Sequence, residues 1–181
     1  MRKRIALALT VASAGSLVVF AAPAGAAQGV TFQLTAGSLT VSDPADKSLG
    51  SGATGTASIT SQLGTVTGTD NRGSLLGTWT ATVSSTDFTT GGATADETIA
   101  KGQVDYWSGA ATASTGTAVR VPGQLLAANK QALSTSRTAF SATGVVGNNT
   151  ASWNPTVVVN VPAQAVAGTY SGTITHSVTG T

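Results

Sequence analysis

The sequence predicts an all-β protein, an antiparallel β-sandwich of immunoglobulin-like kind preceded by a helical signal peptide. Three observations carry that expectation. Charged residues make up only 9% of the 181-residue chain, too few for the Glu, Lys and Arg faces that solvate surface helices. Short runs of alternating apolar and hydroxylated residues recur between clusters of Gly, Asn, Asp and Pro, the pattern of half-buried strands between turns. The β-branched residues, together with Trp79, Trp107 and Trp153, supply enough bulk to favour a packed core over a disordered Ser/Thr-rich chain.

Taken in order, residues 1–26 read as a signal peptide. Arg2, Lys3 and Arg4 form a basic start, Ile5 to Phe20 is apolar, and Ala24-Gly25-Ala26 is a small-x-small cleavage site. The apolar stretch is shorter than the roughly 20 residues of a membrane span. The expected product is a single domain, 27–181, that is secreted and either extracellular or cell-wall-associated. No membrane anchor is expected after cleavage, and without cysteine there is no lipidated N-terminus, so any attachment to the cell is expected to be non-covalent.

Alternation then predicts strands at Val30–Thr35, Ser38–Ser42, Thr56–Thr60, Gly64–Asp70, Gly77–Ser85, Gln103–Trp107, Ala111–Val121, Ser136–Ala142, Ser152–Val161 and Thr169–Val178. Ser48–Gly55 and Thr89–Ala95 read as loops, and Gly123–Leu133 as a short helical turn or a loop. Asp70-Asn71-Arg72-Gly73 is a turn sequence, which predicts a hairpin between its flanking strands, with Arg72 pairing with the turn carboxylates. In Gly77–Ser85, Trp79, Ala81 and Val83 fall on one face and Thr78, Thr80, Thr82 and Ser84 on the other. In the final strand Tyr170, Ile174, His176 and Val178 share the apolar face. The Thr-x-Thr runs at Thr65–Thr69, Thr78–Thr82 and Thr173–Thr175 would, if adjacent, form a hydroxyl and methyl array.

Charge and cysteine counts exclude several functions. Three of the 9 basic residues lie in the leader, and Lys47, Arg72, Lys101, Arg120, Lys130 and Arg137 are scattered singly, so no stripe exists to bind nucleic acid. With no cysteine and one histidine, His176, no metal site and no cofactor are expected. A Ser-His-Asp triad would need His176, which points to the core, and no Gly-x-Ser-x-Gly elbow is present, so the chain reads as a non-enzyme.

Two stretches, "TVTGTDNRGSLLGTWTATVSSTDF" at Thr65–Phe88 and "VVVNVPAQAVAGTYSGTITHSV" at Val157–Val178, are similar to the paired strand signatures of the WxL domain, a cell-wall-binding surface module of Gram-positive bacteria. The likeness rests on Asp70, Arg72 and Gly73, then Trp79 and Ala81, and later Gly168, Tyr170, His176 and Val178. Of the four residues that name that family Trp79 alone is kept; Ala81, His176 and Val178 stand at the other three. The resemblance implies a β-sandwich and non-covalent association with peptidoglycan or another wall polymer, with these motif residues structural. The alternative expectation is a structural or adhesive subunit that binds other surface proteins or copies of itself. In Val104-Asp105-Tyr106-Trp107 the aromatics Trp107 and Tyr106 are the candidate glycan contacts, Trp107 being the one that alternation turns away from Val104.

Overall fold

Backbone pairing, more than side-chain pattern, decides which of these runs become strands. The computed structural model describes residues 28–181, so the signal peptide lies outside it. The expected strand Val30–Thr35 is not one: among the described residues the first strand begins at Leu39.

Residues 35–181 contain twelve strands: β1 (Leu39–Ser42), β2 (Ser58–Gln62), β3 (Val66–Asp70), β4 (Leu75–Ser85), β5 (Phe88–Thr89), β6 (Thr98–Ile99), β7 (Val104–Trp107), β8 (Ala111–Pro122), β9 (Gln131–Ala132), β10 (Arg137–Trp153), β11 (Thr156–Asn160) and β12 (Ile174–Gly180). All pairings are antiparallel. The larger sheet is ordered β1-β3-β10-β4-β12 with β8 also on β10, and the smaller β2-β11-β7-β9. Gly123–Leu133 resolves into a 3-10 turn at Ala127–Asn129 followed by β9.

The expected hairpin across Asp70–Gly73 does not form. β8 follows one edge of β10 from Phe140 to Trp153, so β3, facing Asn149–Trp153, and β4, facing Arg137–Val146, share the other edge end to end. Asp70–Gly73 is therefore a kink between two strands running in the same direction. It is set by positive φ at Gly73 and Leu76, and by Arg72 folding back on Asp70. β10 can serve both because Gly144 and Gly147, at φ of 61° and 68°, bulge it and carry it past the expected end at Ala142. The expected strand Ser152–Val161 is divided: β10 ends at Trp153, and Asn154-Pro155 carries the chain into β11 of the other sheet.

The final strand also begins late, at Ile174. Ser171 bridges Thr89, and a Cβ on Gly172 would lie 2.8 Å from the Phe88 ring, so Tyr170 and Gly168 belong to the segment before the strand.

The core lies between the two sheets. Trp79, Phe140 and Trp153 form a stack with centroids 6.3 and 4.9 Å apart, surrounded by Val66, Ala81, Val83, Val104 and Val157. Outward, the three Thr-x-Thr runs do not come together in one array: those of β3 and β4 lie end to end along β10, and Thr175 registers with Ser84. Thr40, Thr69, Thr150 and Thr115 form a row across four strands, and Ser177 and Thr179 register with Thr82 and Thr80. Hydroxyls on this face bond each other, as in Thr115 with Thr150 at 2.8 Å and Thr67 with Ser152 at 2.9 Å.

The stack fixes its neighbours by contact. A Cβ at Gly68 would lie 3.2 Å from the Trp79 ring, so Gly68→Val is expected to overpack the core and destabilise the protein by about 1–3 kcal/mol in urea denaturation; an unchanged midpoint would contradict this packing.

Candidate functional site

Strand β7 presents two aromatics in opposite directions because side chains alternate along it. Tyr106 is buried at 0% exposure, whereas Trp107 is half-buried on the outer face of the smaller sheet. Tyr106 as a sugar contact is thereby corrected: it has no surface to offer. Trp107 keeps part of its surface accessible.

Around Trp107 the pairing assembles a polar surface. Thr156 registers with Trp107 on one side and with Gln62 on the other, giving a row across β7, β11 and β2. Asn154 donates to Gln62 Oε1 at 3.2 Å. Two residues before Trp107, and on the same face, Asp105 accepts from Lys130 Nζ at 2.7 Å and from Asn160 Nδ2 at 3.1 Å, both at Oδ2. Asn160 also donates to the Gln103 carbonyl, which fixes its amide. The carboxylate is thus held by a cation and an amide, leaving Oδ1 with no protein donor among the described residues. An indole face and a fixed acceptor about 7 Å apart along one strand suit a ligand with an apolar ring face and peripheral hydroxyls.

Tyr106 instead anchors the strand from beneath. Trp153 Nε1 donates to the Tyr106 hydroxyl at 3.2 Å, and that hydroxyl lies 3.1 Å from His176 Nε2. His176 Nδ1 is 2.6 Å from Asp43 Oδ1, and the His176 backbone N–H donates to Asp43 Oδ2. One assignment satisfies every group: Trp153 N–H to Tyr106, Tyr106 O–H to neutral His176 Nε2, and His176 Nδ1–H to the Asp43 carboxylate. Burial lowers the His176 pKa below its ordinary value, against the opposing pull of Asp43. Burial likewise raises the Tyr106 pKa, so the phenol stays protonated. This carboxylate-imidazole-phenol sequence ties the smaller sheet to the larger, and its phenol end is closed off from any substrate.

The motif residues form a second buried network. Asp70 accepts from Arg72 Nε and Nη2, both at 2.9 Å, and from the Arg72 backbone N–H. The Arg72 guanidinium holds the Asp70 carboxyl below its ordinary pKa and is itself raised by the pairing. Arg72 Nη2 also donates to the Thr78 carbonyl, one residue before Trp79. Trp79 Nε1 donates to Asn149 Oδ1 at 3.0 Å, and Asn149 registers with Asp70 across the sheet. Gly73 supplies the positive φ of the kink, Ala81 is buried, and Val178 packs on the core beside His176. Tyr170 donates to the Val166 and Asp96 carbonyls, and Gly168 lies against Thr90. The structure brings Asp70, Arg72, Gly73 and Trp79 together; Gly168 and Tyr170 lie apart from them.

Asp43, Asn149, Asn160 and Lys130 are the participants that sequence reasoning missed. Each is a lone polar residue whose partner is distant in sequence, Asp43 and His176 being 133 residues apart. No family model matches the chain, and no match emerges among curated proteins or solved structures. Among the described residues, no helix is long and apolar enough to cross a membrane, and no group of three or more His, Asp or Glu could hold a metal ion.

His176 gives a pH signature. Its folded pKa lies below the ordinary 6.5, so the unfolded chain binds the proton more readily. Stability is expected to be full above pH 6.5 and to fall as the pH drops below it towards the lowered folded pKa. The urea midpoint followed from pH 8 to 5 checks this, and His176→Gln should flatten that part of the profile because the chain holds no other histidine. A wild-type midpoint that is level or rises towards pH 5 would contradict it.

Proposed function

We propose that this chain is an exported, non-enzymatic cell-surface protein that associates non-covalently with the cell wall, its peptidoglycan or another wall glycan. The observation that carries the reading is Trp107, the half-exposed aromatic of β7, with the fixed Asp105 carboxylate beside it on the outer face of the smaller sheet. Saccharides bind by laying C–H faces on aromatic rings and bonding hydroxyls to fixed acceptors and donors, and Trp107, Asp105 and Gln62 present those groups. The resemblance to the WxL domain implies the same class of partner.

Two further features support binding over catalysis. The imidazole of His176 is committed to Asp43 and Tyr106, and the Tyr106 hydroxyl is buried. The pairing of Lys130 with Asp105 leaves the Trp107 surface nearly neutral, which suits an uncharged sugar better than an anionic polymer.

The test is co-sedimentation of the purified protein with wall sacculi. The wild type is expected in the pellet, and Trp107→Ala is expected to bind roughly tenfold more weakly with an unchanged melting temperature. Wild-type protein left in the supernatant, or full binding by Trp107→Ala, would contradict the proposal.

A further inference from the structure

Two adjoining cavities lie between the connection from β1 to β2 and the segment that leads into β12, away from the Trp107 surface. The larger has a volume of about 870 Å³ and the smaller about 150 Å³, and Leu49 and Phe88 line both. They differ in chemistry. In the larger, Ile59, Ile99, Val159 and Val161 supply apolar side chains, and among the described residues Asp46 and Lys47 are the only charged ones in its lining. Ile59 and Val159 register across β2 and β11, so this wall continues the inner face of the smaller sheet. The smaller cavity gathers Asp43, Asp46, Lys47 and His176 beside Leu63 and Ile174.

Asp43 brings an uncompensated negative charge to the smaller cavity. Its Oδ1 accepts from His176 Nδ1–H at 2.6 Å and its Oδ2 from the His176 backbone N–H at 3.1 Å, which fixes the carboxylate. The imidazole that holds it is neutral, because its Nε2 accepts the Tyr106 hydroxyl, so the bond brings no cation with it. A second lone pair on each oxygen has no protein donor among the described residues, and the side chain is 35% exposed. Asp46 is exposed, and among the described residues no cation lies within salt-bridge reach of it. Lys47 Nζ is turned to the end of β2, where it donates to the Gln62 carbonyl at 2.6 Å. Two carboxylates therefore share a lining with one ammonium that is engaged elsewhere.

We propose that the two cavities together bind a small apolar amine, its ammonium at Asp43 and Asp46 and its alkyl chain along Ile59, Val159 and Phe88. Charge selects the head. A primary ammonium offers several N–H donors to two carboxylates, one of them already fixed in place, and charge-assisted bonds of this kind are the strong ones. An anionic head would meet like charge in a partly desolvated pocket, and an uncharged head would leave the carboxylates without a counter-charge. Burial selects the tail, since methylenes moved from water onto Ile59, Val159 and Val161 add affinity with length. A mainly apolar cleft of this size with a few placed polar groups is the usual form of a small-molecule site. The inference does not depend on glycan binding at Trp107, which lies on the outer face of the smaller sheet.

Isothermal titration calorimetry with octylammonium, butylammonium, octanol and octanoate tests it. Octylammonium is expected to bind roughly tenfold or more tighter than octanol and butylammonium, and octanoate is expected not to bind. Asp46→Asn, at an exposed side chain, is expected to keep the melting temperature and to weaken octylammonium roughly tenfold, towards the affinity of octanol. Octylammonium that does not bind, octanoate that binds as tightly, butylammonium equal to octylammonium, or an affinity unmoved by Asp46→Asn would overturn the proposal. Trp107→Ala separates this reading from the glycan one: it is expected to leave the octylammonium titration unchanged, and loss of amine binding in that variant would overturn the proposal as well.

Discussion

Trp79 donates its indole N–H to Asn149 across 3.0 Å, at the point where β3 ends, β4 begins and β10 runs beside both. The larger sheet depends on this contact, because its strand order requires a kink that leaves a buried carboxylate at Asp70. A lone buried carboxylate is costly, and Arg72 offsets the cost by bonding both of its oxygens. Arg72 also reaches the Thr78 carbonyl, so the same guanidinium that neutralises Asp70 fixes the approach to Trp79. A chain without disulfides and with few charges thus uses one buried ion pair and one indole hydrogen bond to set the path of its central strands.

The two sheets are joined by a second polar run, Trp153 to Tyr106 to His176 to Asp43. It has one fully satisfied arrangement of protons, and that arrangement holds neutral imidazole. β7 links this buried run to the candidate binding surface: with Tyr106 fixed below, alternation places Trp107 above. The outer face of the larger sheet is different in character. Threonine and serine hydroxyls in register solvate it in place of charge, which is how a chain with 9% charged residues covers a broad sheet.

Alternation made the inward residues legible: Trp79, Ala81, Val83 and His176 all face the core that their spacing implies. It could not report pairing partners. Asp70–Gly73 has the composition of a hairpin turn, and a kink beside a 17-residue strand uses the same residues. The bulges at Gly144 and Gly147 hid the continuity of β10, since a positive-φ glycine reads in sequence as a break. The surface around Trp107 was legible only at Trp107 itself. Lys130 and Asn160 reach Asp105 from elements 25 and 55 residues away, a distance over which local pattern carries no information. Val30–Thr35 has strand pattern and forms no strand, so alternation there measured only a local propensity.

Trp79 and Asn149 act as a unit in setting the larger sheet. A double-mutant cycle with Trp79→Phe, Asn149→Ala and the combined variant, read by urea denaturation, tests it most directly. A coupling energy of about 1 kcal/mol or more is expected between the two positions. Effects that simply add, with coupling near zero, would contradict it.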